Sequence, residues 1–144
     1  MRPVDHSGRC HELVREFSSN LREVDAFCLE VRELLIGMKL SSEVFPVEML
    51  LRESLNNAII HGNCGDCRKK VRAGVRVGRK WIVMQVEDEG DGFDCGRPRN
   101  VETDPGATCG RGLVIYSLYA YRVSFNSKGN RVLLWRAVTG VNKS

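Results

Sequence analysis

Three polar side chains within residues 49–62 have the types and the spacing that metal and proton chemistry requires. Glu53, Asn57 and His61 stand four residues apart, so on a helix they lie on one side, turn above turn. A carboxylate, an amide and an imidazole beside an apolar stripe suit the binding of a divalent cation and of a reacting proton. The stripe that we expect to be buried consists of Leu50, Leu51, Leu55, Ala58, Ile59 and Ile60. The alternative is an ordinary amphipathic helix with a polar rim, and this stretch alone favours that alternative.

A second stretch, residues 88–94, places a carboxylate before glycines at alternate positions. Asp88 ends a predicted strand and is followed by Gly90 and Gly92. Glycine lets the backbone come close to a flat or bulky ligand, because no side chain intervenes. A buried carboxylate at this point can accept a hydrogen bond from an exocyclic amino group. A plain glycine-rich turn is the alternative, and the pattern D-x-G-x-G alone is weak.

A third stretch, residues 109–113, has glycines where a helix is predicted to open. Gly110 and Gly112 flank Arg111, and the helix is predicted from Gly112 to about Ala120. The free amide groups and the positive dipole end of a helix N-terminus suit phosphate oxygens. The pattern G-x-G alone is also weak.

Apolar periodicity predicts the elements that must position these residues. Alternation predicts a short edge strand over 11–17, and steps of three and four residues predict a helix over 21–38 with Asn20 as its cap. A second helix is predicted from about residue 43 to His61, with Pro46 tolerated only in its first turn. Two hairpins are predicted, one from strands 71–77 and 81–87 and one from strands 122–126 and 131–137. Residues 89–109 show little periodicity, and a loop of this length is typical of a functional lid.

Length and composition predict one soluble globular domain. The chain has 144 residues, 42% of them hydrophobic and 28% charged. The net charge of +4 is modest, and without a basic block it argues against nucleic-acid binding. No apolar run approaches the roughly 20 residues of a membrane span, and the N-terminus lacks a signal-peptide core. We therefore expect a cytoplasmic protein.

The six cysteines are expected to be free thiols, because disulfides are rare in the cytoplasm. Cys64 and Cys67 have the C-x-x-C spacing, and His61 precedes them by three residues. A structural zinc site requires a fourth protein ligand, which no second C-x-x-C or H-x-x-x-H supplies. A polar loop with two incidental thiols is therefore preferred over a metal or redox site.

In combination, the three stretches form a specific pattern. E-x-x-x-N-x-x-x-H-G, then D-x-G-x-G-F-D after a strand, then a lid ending in T-C-G-R-G-L before a helix, resembles the GHKL ATPase superfamily (the Bergerat fold). The short form, with Gly129 and Asn130 in a closing hairpin, is most similar to the anti-sigma-factor serine/threonine kinases of the RsbW type. The resemblance implies an α+β fold, a two-layer sandwich with helices on one face of a mixed, mostly antiparallel sheet. It covers a domain over 10–138, between a flexible N-terminus at 1–9 and a tail at 139–144.

The resemblance also assigns roles to matching positions. It implies Glu53 as the general base, Asn57 as the Mg²⁺ ligand and Asp88 as the carboxylate that reads adenine. The other positions that it implies for ATP binding are His61, Gly90, Gly92, Phe93, Thr108, Gly110, Arg111, Gly112 and Leu113. The chain departs from the pattern at Thr108, where many relatives have a basic residue, and at Tyr121, where relatives often have an acidic one. Arg111 is then a candidate to serve the phosphates.

The function implied is an ATP- and Mg²⁺-dependent serine/threonine-protein kinase. Its implied partners are an anti-anti-sigma (STAS-type) protein as substrate and a sigma factor that the kinase sequesters, with a possible homodimer and no direct contact with nucleic acid or membrane. The alternative is a non-catalytic ATP-binding switch that binds a protein partner. The detached catalytic domain of a histidine kinase is disfavoured, since no dimerisation helix pair with a phosphoacceptor histidine precedes the first motif. A gyrase-type motor is excluded because it needs a transducer domain.

Overall fold

A computed structural model describes residues 10–90 and 108–138 of the chain, with side chains for all of these except 108–113. Five strands form one sheet in the order β1-β2-β3-β5-β4, and every pairing among them is antiparallel. The strands are β1 (His11–Ser18), β2 (Lys70–Val77), β3 (Trp81–Asp88), β4 (Arg122–Phe125) and β5 (Arg131–Ala137). The helices are α1 (Leu21–Gly37), α2 (Val44–Asn57) and α3 (Thr108–Tyr119). The predicted α+β two-layer sandwich is confirmed.

The core forms because one face of the sheet is apolar along every second residue. In β2 and β3 the buried residues are Val71, Ala73, Val75, Val77, Ile82, Met84 and Val86. Val75, Met84 and Leu134 stand opposite one another across three neighbouring strands. The helices cover this face, and each fully buried leucine of α2 contributes about 1.5–3 kcal/mol to the free energy of folding.

Several local predictions are confirmed. β1 lies at an edge of the sheet. Asn20 caps α1, since its side-chain oxygen accepts a hydrogen bond of 2.7 Å from the backbone N–H of Arg22. Pro46 lies in the first turn of α2, where its missing N–H costs no helical hydrogen bond. The closing hairpin turns at Gly129, whose φ of 81° glycine adopts without strain.

The second helix departs from its prediction at its C-terminal end. After a 3₁₀ turn (Ser41–Glu43) and α2, the chain continues as a π-helical turn (Ala58–Gly62) rather than as α-helix. The backbone N–H of Asn63 bonds to the carbonyl of Ala58 at 2.8 Å, which is a step of five residues. This widening changes the direction of the side chains within the turn. Ile60, expected in the buried stripe, is therefore 48% exposed.

α3 begins at Thr108, four residues before the predicted start at Gly112. The amide groups without an intrahelical partner are those of the first four residues, 108–111. Gly110 is therefore part of the helix N-terminus, whereas Gly112 lies one position beyond the free amides.

The cysteines differ in part from the expectation of free thiols. Cys10, Cys28 and Cys67 form no disulfide, but Cys64 is disulfide-bonded. Cys28 is buried, and this burial raises the pKa of its thiol to about 11, so it stays protonated and unreactive. Within 10–90 and 108–138 no cluster of three His, Cys, Asp or Glu side chains could hold a metal ion. No helix within those same ranges has the length and hydropathy to cross a membrane.

Candidate functional site

Asp88 is the last residue of β3 and is buried, with 8% of its surface exposed. Burial raises the pKa of its carboxyl from 3.8 to about 6, although the backbone N–H of Gly90, which donates to Oδ1 at 2.8 Å, lowers it. The backbone of Asp88 is fixed as well, because its N–H and its carbonyl both bond to Asn130, at 2.9 and 3.0 Å. The carboxylate is therefore held at a defined position at the end of the strand.

Two glycines let the π-helical turn and the end of β3 meet. A Cβ at Gly62 would overlap the carboxylate of Asp88, and a Cβ at Gly90 would overlap the carbonyl oxygen of Gly62. Only glycine at both positions allows this approach. Gly62 is the last residue of the motif E-x-x-x-N-x-x-x-H-G, but the sequence analysis gave it no role in the site.

Asn63 joins the same two segments to the rest of the sheet. Its side chain is fully buried, and Nδ2 donates to Ser19 Oγ at 2.8 Å and to the carbonyl of Lys70 at 3.0 Å. Oδ1 accepts from the backbone N–H of Glu89 at 2.8 Å, one residue after Asp88. Sequence reasoning missed Asn63 as well, and only its position directly after the H-G pair could have drawn attention to it.

These contacts define one cluster, which we call the β3-end cluster: Gly62, Asn63, Asp88, Gly90 and Asn130. His61 lies next to it in the π-helical turn, with Nε2 buried and the rest of the side chain half-exposed. His61 belongs to the π-helical turn, whereas Glu53 and Asn57 belong to α2, and the alignment of the three side chains on one side stays a prediction.

A second cluster lies where α2 packs against α3, and we call it the α2–α3 cluster: Glu53, Asn57 and Tyr116. Glu53 is buried within α2, and Asn57 is the last residue of that helix. Tyr116 of α3 is buried, and this burial raises its pKa to about 12, which keeps the hydroxyl protonated. The Asn57 side chain lowers the pKa of that hydroxyl, while the Glu53 carboxylate raises it.

The side-chain amide oxygen of Asn57, Oδ1, is buried, and among the residues that the structure describes it has no hydrogen-bond partner. A buried amide oxygen of this kind is an available ligand for a cation.

The second and third predicted stretches are described in part. Gly92 and Phe93 lie outside the described residues. The backbone of Thr108, Gly110, Arg111, Gly112 and Leu113 forms the first turns of α3, and their side chains lie outside the description. Tyr121, just after α3, is exposed and packs its ring 5.0 Å from that of Trp81.

The sandwich, the buried carboxylate at the end of β3 and the α2–α3 cluster together define an ATP-binding domain of the GHKL type. The family model for the histidine kinase-like ATPase domain matches residues 17–135, which include all the described residues of both clusters. The chain belongs to this family. A search of curated proteins gave no match.

Proposed function

We propose that the protein is an ATP- and Mg²⁺-dependent serine/threonine-protein kinase of the anti-sigma-factor type. The proposal is carried by two groups that lie one helical turn apart on α2. Glu53 is a buried carboxylate, and Oδ1 of Asn57 is a buried amide oxygen without a hydrogen-bond partner among the described residues. A nucleotide-binding domain needs a cation ligand, and a kinase needs in addition a base close to it.

Asn57 fits the role of the Mg²⁺ ligand. Its amide oxygen is a hard, neutral donor, and Mg²⁺ is usually held by one or two protein oxygens while phosphate and water complete its shell. The bound cation would neutralise charge on the phosphates. Asn57 itself contributes a buried oxygen that has no hydrogen-bond partner among the described residues.

Asp88 fits the role of the adenine-reading group. With a pKa of about 6 its carboxyl is mostly ionised at pH 7 and can accept a hydrogen bond from the exocyclic amino group. Gly62 and Gly90 keep the space beside it free of side chains. We propose His61, Gly92 and Phe93 as further contacts of the nucleotide. The free amides at the N-terminus of α3 would then supply its phosphate contacts, from Thr108, Gly110 and Arg111. Gly112 and Leu113, which lie beyond the free amides, are proposed as further contacts of the nucleotide.

Glu53 would accept the proton of an incoming serine or threonine hydroxyl. The proposed substrate is a STAS-type anti-anti-sigma protein, and the proposed second partner is a sigma factor that the kinase sequesters in the cytoplasm, with the kinase as a homodimer. These partners rest on the resemblance of the motifs to that class of kinase.

The test compares Glu53→Gln with wild type in two assays. Calorimetry with ATP and Mg²⁺ should give nearly equal affinities, because Glu53 makes no obligatory contact with adenine. Transfer of radiolabelled phosphate from ATP to a co-purified partner should fall about 10²–10⁴-fold, the usual contribution of a general base.

Glu48→Gln is the matched control, since Glu48 is a carboxylate on the same helix that pairs with Arg32 and Arg52 away from the site. It should transfer phosphate at the wild-type rate. If wild type binds ATP and a partner but transfers nothing, the protein is a nucleotide-gated switch and not a kinase. If Glu53→Gln transfers at the wild-type rate, the base is another residue.

A further inference from the structure

The turn between β4 and β5, residues 126–130, reaches the β3-end cluster through Asn130. Two hydrogen bonds join Asn130 to Asp88. The carbonyl of Asn130 accepts from the N–H of Asp88 at 2.9 Å, and its Nδ2 donates to the carbonyl of Asp88 at 3.0 Å. These bonds lie on either side of the Asp88 Cα, so together they set the direction in which the carboxylate leaves the strand. The side chain that orients the Asn130 amide is that of Asn126, which has no role in the function proposed above.

The amide of Asn126 is fixed by the backbone of its own turn. Its Oδ1 accepts from the backbone N–H groups of Gly129, Asn130 and Arg131, at 2.8, 3.0 and 3.1 Å. A backbone N–H can only donate, so the oxygen and not the nitrogen must face these three groups. Nδ2 is therefore directed to the other side of the amide, where it donates to Oδ1 of Asn130 at 2.7 Å.

This contact decides which end of the Asn130 amide faces Asp88. The two ends of an asparagine amide have nearly the same shape, so only their hydrogen-bond partners distinguish them. Because Oδ1 of Asn130 is bound to Asn126, its Nδ2 faces the carbonyl of Asp88, which can only accept. The chain of bonds begins at backbone N–H groups and ends at a backbone carbonyl, and both ends permit one orientation only.

The peptide group that follows Asp88 is held from both sides. Its carbonyl is bound by Asn130, and its N–H, which belongs to Glu89, is bound by Oδ1 of Asn63 at 2.8 Å. Rotation of this peptide group would move the Asp88 carboxylate through the Cα that they share. A group that reads a ligand has to be held to within about 0.5 Å of its productive position. The Asn126–Asn130 pair supplies one of the two holds.

We propose that Asn126 is a positioning residue for the recognition of adenine by Asp88. It acts through Asn130, whose amide it orients toward the carbonyl of Asp88. This inference rests on the proposed function and deepens it, because it assigns part of the specificity for the exocyclic amino group to the β4–β5 turn. The effect of Asn126 is on the choice of base and not on the binding of the triphosphate.

The test is Asn126→Asp, which keeps an oxygen for the three backbone N–H groups of the turn. It replaces Nδ2 by a second oxygen, which cannot donate to Asn130. We expect the Asn130 amide to invert and to present its own oxygen to the carbonyl of Asp88, which repels it. Calorimetry with Mg²⁺ measures the affinity for ATP and for the triphosphate of purine riboside, which lacks the exocyclic amino group. The ratio of the two affinities is the readout.

Wild type should bind ATP about ten- to hundredfold more tightly than the analogue, which is the usual effect of one hydrogen bond to a charged group. In Asn126→Asp this ratio should fall about three- to tenfold, the effect of one neutral hydrogen bond. The affinity for the analogue should stay within about twofold of wild type, since the analogue does not use the acceptor that is displaced.

Ser127→Asp is the matched control, because it adds the same charge at an exposed residue of the same turn and leaves both amides intact. It should leave the ratio unchanged. Asn130→Ala removes the contact with the Asp88 carbonyl directly and should lower the ratio at least as much as Asn126→Asp does. The double variant Asn126→Asp/Asn130→Ala should have the same ratio as Asn130→Ala alone, because Asn126 acts only through that amide.

The outcomes separate this inference from the proposed function. If wild type does not distinguish ATP from the analogue, the assignment of Asp88 to adenine fails and this inference fails with it. If wild type distinguishes them and Asn126→Asp does so equally well, only this inference is wrong. An equal loss of affinity for both nucleotides would make the turn a packing element, and additive effects in the double variant would mean that Asn126 acts without Asn130. Either result overturns the inference.

Discussion

The two clusters of the site differ in how completely their polar groups are satisfied. In the β3-end cluster, Asn63 uses both its donor N–H groups and its oxygen, and Asp88 is held through its backbone and its carboxylate. In the α2–α3 cluster, Oδ1 of Asn57 is buried and has no hydrogen-bond partner among the described residues. A saturated cluster stabilises the fold, whereas an oxygen without a protein partner costs stability and is available to a ligand. The difference therefore separates the part of the site that the fold needs from the part that a cation would complete.

Gly62→Ala should have the largest effect, because it removes the close approach on which the β3-end cluster is built. The new methyl group would overlap the carboxylate of Asp88, which accepts a hydrogen bond from the N–H of Gly90 and whose backbone is bonded to Asn130. We expect ATP affinity to fall more than about a hundredfold, at or above the cost of a misplaced buried charge. Calorimetry with ATP and Mg²⁺ measures this loss.

Gly37→Ala is the control for that variant. Gly37 ends α1, and a Cβ there meets nothing within 4 Å. It should bind ATP as wild type does and gain up to about 1 kcal/mol of stability from helix propensity. If Gly62→Ala binds ATP normally, the contact between the π-helical turn and Asp88 is not required for the site.

Asn63→Ala should destabilise the fold by about 3 kcal/mol, because it removes the three hydrogen bonds that this fully buried side chain makes with Ser19, Lys70 and Glu89. Urea unfolding measures the free energy, and an unchanged m value shows that the same two states are compared. A loss below about 1 kcal/mol would mean that water replaces the amide and that the cluster is not saturated by the protein.

Asp88→Asn should change binding and stability in opposite directions. An amide presents a donor where the carboxylate presents an acceptor, so ATP affinity should fall about ten- to hundredfold. The pKa of Asp88 is raised from 3.8 to about 6 in the fold, so its stabilising contribution is complete below pH 3.8 and is lost as the pH rises through about 6. At pH 7 the wild-type protein must keep the buried carboxylate of Asp88 ionised, which costs free energy. The variant has no such charge and should be more stable than wild type by up to about 3 kcal/mol.

The pH dependence distinguishes this effect from a simple loss of packing. The unfolding free energy of wild type, relative to the variant, should fall between about pH 4 and pH 7, across the interval between the two pKa values of Asp88. The ATP affinity of wild type should fall below about pH 6 as Asp88 becomes protonated, while that of the variant changes with the phosphates of ATP alone. A constant difference in stability over this range would mean that Asp88 is not the titrating group.

The sequence predicted the strands, the first two helices and the fold class, because these depend on local periodicity and on caps such as Asn20. It did not predict the π-helical turn, since the turn widens where Gly62 meets Asp88 and Gly90, which are distant in the chain. The exposure of Ile60 follows from the same turn. Tyr116 was missed because it lies on a different helix from Asn57, and no spacing along the chain relates the two.

Asn57→Ala should have the smallest effect on stability and the most selective effect on binding. The oxygen that it removes has no partner among the described residues, so the free energy of unfolding should change by less than about 1 kcal/mol, well below the loss in Asn63→Ala. ATP affinity should fall about tenfold with Mg²⁺ and little in chelator, because only the cation uses that oxygen. Calorimetry in both conditions, beside urea unfolding of the two asparagine variants, makes the comparison direct. If Asn57→Ala instead loses as much stability as Asn63→Ala and binds ATP equally with and without Mg²⁺, both clusters are structural and the cation is held elsewhere.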